Sequence, residues 1–359
     1  MPKIMVVHPG HDFSTSDVFD GLCAGLNTIE DIEVVPFQWE RPLKIFGTLI
    51  SSAIELGNIA PDKAEQLRSF TSWIGSADAI GVALDQEVDA VIVINGILFP
   101  PSRALLLQKL GIPVACFGTE APYFLKTEQD IAPCYTHWFT NEMNCVGMFG
   151  DTKQYYLRHA YNPATHTRGP VNLDMTADVV FIGGGYPERK ALLGGADWTG
   201  IDLQTRGTLW HLNLDVEQGA TDIGRSTRYS EGAIPNEETS AWHRSAKIAL
   251  NMNRRMTHVE TGGRIVSGTA QSLGPRAFEI PAVGGFMLSD DERAHELRAV
   301  YGDSVATFRA WDSADLERQA RYWLTHDDAR GRAQSAQWEA VQPHHWGSRA
   351  MDILNIILN

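Results

Sequence analysis

The segment Arg264–Asp290 carries the residues whose types and spacing best fit a chemical task. Its polar loop Ser272–Pro275 precedes a short predicted helix, and an apolar strand is predicted at Gly285–Leu288. A helix start offers unpaired N–H groups and the positive end of the helix dipole, so this loop is suited to bind phosphate. Glu279 follows Pro275 by four residues, about one helical turn, where its carboxylate could bind a ribose hydroxyl. The segment therefore predicts a nucleotide-binding site.

Three other loops place polar residues directly after predicted strands. These loops are His8–Phe13, Gly118–Tyr123 and Gly183–Lys190, which read HPGHDF, GTEAPY and GGGYPERK. The first can approach a ligand closely at its glycine, and the third opens a predicted helix. The candidate site residues in these loops are His8, Gly10, His11, Asp12, Thr119, Glu120, Gly184 and Arg189.

Asp12 and Glu120 are the candidates for removing a proton from a substrate hydroxyl, which is general base catalysis. His11 and His8 compete for the same task. The ordinary alternative for Asp12 is to cap or turn its loop, and a loop histidine is more often only a hydrogen-bonding residue. Both interpretations stay open at the level of sequence.

Arg189 and Arg276 are the candidates for phosphate contact, because a planar guanidinium group binds phosphate oxygens at two points. The glycine run Gly183–Gly185 places a second candidate phosphate loop in the same half of the chain as Ser272–Pro275. A glycine run alone is a weak signal, and either arginine could instead lie on a solvated or ion-paired surface. The two loops together favour phosphate binding.

Short apolar runs alternate with helical patterns, which predicts an α/β protein with parallel sheets covered by helices on both faces. The turn-rich connector His159–Pro170 is the best domain boundary. We predict domains over 1–160 and 171–340, and a final helix within 341–359 that packs back on the first domain. His159 and Asn162, in the connector, are candidates for ligand contact or for shaping a turn. Ligands of such doubly wound sheets bind beyond the carboxyl ends of the strands.

The bulk composition limits the function. The chain has 359 residues, enough for two domains, and its formal net charge of −14 argues against non-specific nucleic-acid binding. No apolar run approaches membrane-spanning length, and four cysteines without paired spacing suit a reducing, cytoplasmic setting. Histidine and cysteine spacing predicts no metal site, and a Walker-type loop is absent.

Three stretches of the C-terminal half resemble the group-1 type glycosyltransferase domain of CgeB-like proteins: VVFIGGGYPERKALL, SAKIALNMN and LGPRAFEIPAVGGFMLSDD. The N-terminal half resembles the partner domain of related bacterial and bacteriophage glycosyltransferases, through MVVHPGHDFSTSDVFDGL, TEAPY and YLRHAYNPATH. The resemblance covers most of the chain. Gln38–Leu84 and Asp197–Glu238 match least.

The resemblance implies a GT-B fold, in which two Rossmann-like doubly wound domains face each other across a cleft. It further implies a hexosyltransferase that needs no metal or cofactor, with a nucleotide-diphosphate sugar, expected to be a UDP-sugar, bound mainly by the second domain. Related transferases carry a Glu-x7-Glu motif whose second Glu binds the ribose. Glu279 matches that position, whereas Gln271 departs from the first. The predicted nucleotide-sugar-binding residues are Gly10, Gly184, Arg189, Gln271, Ser272, Leu273, Gly274, Arg276 and Glu279.

Three alternatives accompany this interpretation. A nucleotide-sugar epimerase could use the same architecture, and a two-lobed binding protein could use it without chemistry. The acceptor is open among a glycan, a protein, a small molecule and modified DNA. For DNA, a hydroxymethylated pyrimidine would be flipped out of the duplex and would need a basic rim, which Asn253–Arg264 could supply.

Overall fold

The computed structural model describes residues 1–10, 14–60, 63–210, 234–254, 258–260, 264–266 and 270–358. The chain divides into two compact units. The first unit comprises Met1–Arg158, His258–Gly268 and Trp346–Asn359, and the second comprises His159–Thr257 and Thr269–His345. Among the described residues, no helix combines the length and apolar character needed to cross a bilayer.

The first unit contains a six-stranded parallel sheet in the order β2-β1-β3-β4-β5-β6. Its central strands are continuous apolar runs, such as AVIVI and VACFG, and every residue in these two is buried. Such runs are typical of parallel strands that are covered on both faces. The strands are β1 Lys3–Val7, β2 Glu33–Phe37, β3 Ala90–Ile94, β4 Val114–Gly118, β5 His137–Thr140 and β6 Lys153–Tyr156.

The helices of the first unit lie between these strands, except for the last helix of the chain, which returns to this unit. Two of them, Ala64–Gly75 and Asp78–Asp85, are separated by a short turn. The helices are α1 Ser14–Leu26, α2 Glu40–Glu55, α3 Ala64–Gly75, α4 Asp78–Asp85, α5 Pro101–Lys109, α6 Leu125–Ile131 and, at the end of the chain, α13 Trp346–Ile357.

The last helix packs against the first. A Cβ atom on Gly21 of α1 would overlap the Trp346 indole of α13, and one on Gly25 would lie 2.7 Å from the Gly347 backbone nitrogen. Trp346 is only 1% exposed. The two glycines therefore permit the backbones of α1 and α13 to approach closely, as small residues at a helix crossing do.

The second unit contains a five-stranded parallel sheet in the order β13-β12-β9-β7-β8. Its strands are β7 Val179–Ile182, β8 Leu203–Arg206, β9 Ile248–Asn251, β12 Met287–Asp290 and β13 Ala306–Phe308. A separate antiparallel pair, β10 His258–Glu260 and β11 Arg264–Val266, belongs to the first unit. The helices are α7 Pro187–Gly194, α8 Asn236–Ser245, α9 Arg276–Ala282, α10 Ala294–Tyr301, α11 Ser313–Thr325 and α12 Asp327–Val341.

Two parallel α/β sheets confirm the predicted fold class. In each sheet the chain progresses in opposite directions from one starting strand: from β1 to β2 and to β3, and from β7 to β8 and to β9. The carboxyl ends of the strands at such a reversal form the crevice where open α/β sheets bind ligands. The loops after β1, β3, β7 and β9 are therefore the places to look for a site.

Candidate functional site

Two arginines converge at the carboxyl end of β9 in the second unit. The Arg276 guanidinium donates hydrogen bonds to the Met252 carbonyl at 3.1 Å and to the Asn251 side-chain oxygen at 3.4 Å. The Arg189 guanidinium donates to the same Met252 carbonyl at 2.9 Å and to the Gly184 carbonyl at 3.0 Å. Arg189 and Arg276, which are 87 positions apart in the sequence, thus donate to the same backbone carbonyl.

Aromatic rings contact both guanidinium groups, and a third arginine contacts one of the same rings. The Arg276 and Arg189 guanidinium groups lie 5.0 and 5.2 Å from the Phe181 ring centre. Arg189 and Arg254 also contact the Tyr186 ring, at 5.1 and 4.9 Å. Cation–π contacts of this kind stabilise a guanidinium group away from bulk water. We call Arg189, Arg254 and Arg276 the arginine cluster. Its concentrated positive charge is suited to a multiply charged anion.

The glycine run after β7 allows this close approach. Gly183 has φ +154°, and a Cβ atom there would lie 3.0 Å from Arg276 Nη2 and 3.1 Å from the Phe181 ring. Its carbonyl accepts a hydrogen bond from the Trp210 indole at 2.9 Å. The glycine therefore has a local packing reason, because a larger residue would displace the arginine.

A buried carboxyl group fixes the loop that follows β9. Asp290, 1% exposed, accepts hydrogen bonds from the Asn253 backbone N–H at 2.6 Å and from its side-chain amide at 2.7 Å. Burial raises the pKa of Asp290, and these two bonds oppose that rise. These bonds fix Asn253 and thereby constrain the backbone from which the Arg254 side chain extends.

One amide group of the predicted phosphate loop Ser272–Pro275 and two amide groups of the following helix already have acceptors within the protein. The Leu273 N–H donates to the Glu296 carboxylate, the Ala277 N–H donates to Gly274 O at 3.1 Å, and the Phe278 N–H to Pro275 O at 2.8 Å. Helix α9 is also only seven residues long. Arginine side chains are therefore a stronger anion-binding feature here than helix amides. Within the loop, Ser272 and Leu273 are buried and Gly274 is half-buried, and Gln271 before it is exposed.

Glu279 lies in α9 close enough to Arg276 for the two charges to interact. Burial raises the pKa of Glu279 to about 7, and the Arg276 charge opposes that rise. Burial likewise lowers the pKa of Arg276, against the attraction of Glu279. A carboxyl group with a pKa near neutrality changes its hydrogen-bonding character within the physiological pH range. The predicted ribose-binding role of Glu279 stays a prediction.

In the first unit, Thr119 and Glu120 follow β4 and are joined to the end of β3. The Asn95 side-chain amide donates to Thr119 Oγ1 at 2.9 Å and to Glu120 Oε1 at 3.4 Å. Asn95 has φ +68°, a left-handed conformation that Asn tolerates better than most residues. Beneath the loop, the Glu128 carboxyl accepts the Glu120 N–H at 2.9 Å and also bonds the Ala121 N–H. These bonds hold the Glu120 backbone in place.

Glu128 should make the stability of the protein depend on pH. It is 0% exposed, and burial raises its pKa from 4.5 to about 8. Because the folded state holds this proton more tightly than the unfolded state, stability falls as pH rises from about 4.5 towards 8, by at most about 5 kcal/mol. Glu128→Gln keeps an acceptor oxygen for both amides. In this variant the melting temperature should depend less on pH between pH 5 and 8 than it does in wild type. Glu55→Gln, an exposed change in the same unit, should leave the wild-type slope, and an unchanged slope in Glu128→Gln would refute the prediction.

His8 and Gly10 have structural partners in the first unit. His8 Nδ1 accepts the Gly10 N–H at 3.1 Å, and the His8 carbonyl accepts the Trp39 indole N–H. Gly10 has φ +94°, and a Cβ atom there would lie 2.7 Å from Leu43 Cδ1. His11 and Asp12 lie outside the described residues. Their predicted role as bases stays a prediction.

Asn162 shapes the turn of the connector. Its side-chain oxygen accepts the Ala164 N–H at 3.0 Å, and its backbone N–H donates to His166 Nδ1 at 3.2 Å. The first of these bonds is that of an Asx turn. His159, three residues earlier in the connector, is buried, with 4% of its surface exposed. The structure thus gives Asn162 the structural role that the sequence left open beside ligand contact.

Sequence reasoning missed the residues that position these sites. Asn95 and Glu128 are brought to Glu120 by the pairing of β3 with β4 and by α6, and Asp290 reaches Asn253 from a neighbouring strand. The single local signal was the position of Asn95 directly after β3 and of Asn253 two residues after β9. Arg254 was predicted as part of a basic rim, but it contacts Tyr186 beside Arg189.

Comparisons with known proteins agree with the fold and the family resemblance. Residues 187–355 match the family described as glycosyl transferase-like. The N-terminal domain of trehalose-6-phosphate phosphatase from Candida albicans has a TM-score of 0.65 at 10% identity, covering 100% of this chain and 97% of that one. Sucrose-phosphate synthase from Thermosynechococcus elongatus has a TM-score of 0.61 at 9% identity, covering 99% and 98%.

A glycosyltransferase from Rickettsia africae gives a TM-score of 0.60 at 8% identity, with 99% of this chain and 97% of that one covered. At such identities the likeness is one of fold, and it confirms the GT-B fold. No curated protein sequence matches this chain. The family match and the fold together define the class: residues 187–355 match the glycosyl transferase-like family, and the chain has a GT-B fold.

Proposed function

We propose that the protein transfers a hexosyl group from a nucleotide-diphosphate sugar, with UDP as the expected nucleotide, to an acceptor hydroxyl without a metal ion. The observation that carries the proposal is the arginine cluster at the carboxyl ends of β7 and β9. Arg189 and Arg276 share the Met252 carbonyl there, and Arg254 is held on Tyr186. A diphosphate is the part of such a donor that this concentration of positive charge would bind.

In the proposed reaction, the bond between the sugar anomeric carbon and the diphosphate breaks, and negative charge grows on the departing phosphate oxygens. Preorganised guanidinium groups stabilise that charge without the reorganisation that water would need. Glu279, on the same helix as Arg276, would bind ribose hydroxyls. Cationic side chains would thereby perform the neutralisation that a divalent ion performs in other transferases.

The acceptor hydroxyl must lose a proton during transfer. If the anomeric configuration inverts, a base is needed, and Glu120 is our candidate among the described residues, with Asp12 the alternative. The Asn95 amide donates a hydrogen bond to Glu120 Oε1, which helps to hold this carboxyl group in place. If the configuration is retained, such a base is not obligatory.

A thermal-shift series tests the donor assignment. UDP, GDP, TDP and their sugars are each added to the full chain in the presence of EDTA. We expect one nucleotide family, that of UDP, to raise the melting temperature, because a ligand that binds only the folded state stabilises it. Stabilisation that needs added Mg²⁺ would contradict the metal-free proposal. No stabilisation by any nucleotide would contradict the donor site itself.

Product analysis with the nucleotide sugar that stabilises the protein separates transfer from its alternatives. Conversion of the bound nucleotide sugar into an isomer without an acceptor would indicate an epimerase. Saturable binding with no product, over a panel of glycans and hydroxymethylated DNA, would indicate a binding protein. The contact of Arg254 with Tyr186 supports a donor-site role for this residue rather than a role in a DNA-binding rim.

A further inference from the structure

Two buried polar side chains meet near the carboxyl end of the second sheet. Asn251 ends β9 and is 2% exposed, and Ser289 lies in β12 and is 0% exposed. The two strands pair directly at these positions, and the Asn251 side-chain amide donates a hydrogen bond to Ser289 Oγ at 3.1 Å. Replacing such a pair by apolar groups of the same shape is close to neutral for stability, so folding alone does not require it here.

A second partner of Asn251 fixes which way its amide points. Arg276 Nη1 donates to the Asn251 side-chain oxygen at 3.4 Å, and a guanidinium group can only donate. The amide oxygen must therefore face Arg276, and the amide NH2 group must face Ser289. The Ser289 hydroxyl in turn donates to the Asp290 carbonyl at 3.0 Å, which leaves the hydroxyl oxygen to accept from Asn251. The donors and acceptors along this chain of hydrogen bonds thus agree on one amide orientation.

The oxygen that Asn251 presents to Arg276 has no formal charge. The Met252 carbonyl, to which Arg276 also donates, is neutral as well. Two acids, Glu279 and Asp290, attract the Arg276 charge, and Asp290 uses its oxygens to hold the backbone after β9. A neutral acceptor directs a guanidinium group without cancelling its charge, whereas a carboxylate at the same place would form an ion pair with it. Asn251 therefore directs Arg276 and leaves the positive charge of this half-buried side chain available to an anion.

We propose that Asn251 is a positioning residue of the donor site: it orients the Arg276 guanidinium group towards the donor diphosphate, and Ser289 orients Asn251. Because Asn251 is buried, it acts through Arg276 and does not touch the ligand. The inference rests on the proposed function, since it takes the diphosphate as the anion that Arg276 binds. It extends that function by making a neutral amide at position 251 a determinant of donor affinity.

The first test adds a charge beside Arg276. Asn251→Asp keeps the shape of the side chain and its acceptor oxygen but introduces a carboxylate. UDP, GDP and TDP are titrated calorimetrically into the full chain in EDTA. For the nucleotide that binds wild type, we expect the dissociation constant to rise about tenfold, because the new ion pair competes with the diphosphate. Asn58→Asp adds the same charge at an exposed position of the first unit and, as the matched control, should bind as wild type does.

The second test asks whether Asn251 acts through Arg276. Asn251→Ala removes the acceptor and should weaken nucleotide binding about fivefold or more, because the guanidinium group is then less well oriented before the ligand arrives. The same change is also made in the Arg276→Ala protein, whose weak binding is followed by NMR at millimolar nucleotide. In that background it should alter the dissociation constant by less than about twofold, since the residue that it orients is gone.

Melting temperatures without nucleotide show which variants fold, and Asn251→Ala, which buries no new charge, remains informative if Asn251→Asp unfolds. Two results would overturn the positioning role while wild type still binds a nucleotide: wild-type affinity in the Asn251 variants, or an equal loss with and without Arg276. The second result would mean that Asn251 acts independently of the arginine. A wild-type protein that binds none of the three nucleotides would instead contradict the donor site itself, and the positioning role with it.

Discussion

Arg276→Ala should abolish the thermal shift produced by the donor nucleotide and lower kcat/KM for transfer by about 100-fold or more. The side chain lies 3.1 Å from the Met252 carbonyl and 5.0 Å from the Phe181 ring, so its guanidinium group is fixed before a ligand arrives. Charged hydrogen bonds contribute about 1.5–3 kcal/mol each, and two to a diphosphate would account for that factor. Nucleotide titrations followed by melting temperature and by steady-state rates would measure it.

Two companion variants make the Arg276 result interpretable. Arg276→Lys keeps the charge but loses the planar, two-point geometry, and should recover only part of the affinity. Arg318→Ala removes an arginine of the same unit whose side chain is 66% exposed and paired with Asp315, and should bind as wild type does. If the Arg276→Ala protein melts normally and still binds the nucleotide with wild-type affinity, Arg276 is not a donor-site residue.

Donor binding should strengthen as pH rises through about 7 if Glu279 binds the ribose. Burial raises the Glu279 pKa from 4.5 to about 7, so the group is largely protonated at pH 6 and largely ionised at pH 8. The carboxylate accepts hydroxyl bonds better than the protonated form does. We expect the dissociation constant to fall by about tenfold between these pH values, which corresponds to about 1.4 kcal/mol.

Glu279→Gln should remove this pH dependence and bind the donor about as weakly as wild type does at pH 6. Without ligand, the folded state holds the Glu279 proton more tightly than the unfolded state. The stability that this group contributes to the wild-type protein is therefore lost as pH rises from about 4.5 to 7. The free energy of unfolding of the variant should fall less over the same range. Glu339→Gln, an exposed change on α12, serves as the control. A wild-type pH profile in Glu279→Gln would assign the dependence to another group.

The sheets were predictable because the composition of each strand indicates, without reference to distant residues, whether the strand is buried. A run such as AVIVI in β3 is buried at every position, and such a composition is typical of a parallel strand covered on both faces. Helix α2 was not predicted. Its exposed side carries Ile45 and Leu49, so the spacing of its apolar residues alone does not define which side of the helix is buried.

The site was predictable only in part, because its chemistry depends on contacts between distant residues. The sequence identified Arg189 and Arg276 separately, but their common acceptor, the Met252 carbonyl, depends on the order of β7 and β9. The loop amides looked available for phosphate, yet the Leu273 amide bonds Glu296 from α10. Such partners lie a full element away and leave no periodic signal in the chain.

The packing of α13 against α1 bears on how the protein is made. The indole of Trp346 lies against Gly21, so helix α1 is completed by a residue that the ribosome adds long after α1 itself. Until Trp346 is synthesised, the apolar side of that helix would lack this partner, and a chaperone could bind it during that period. Nascent chains released before Trp346 should consequently be far more open to proteolysis than the finished protein.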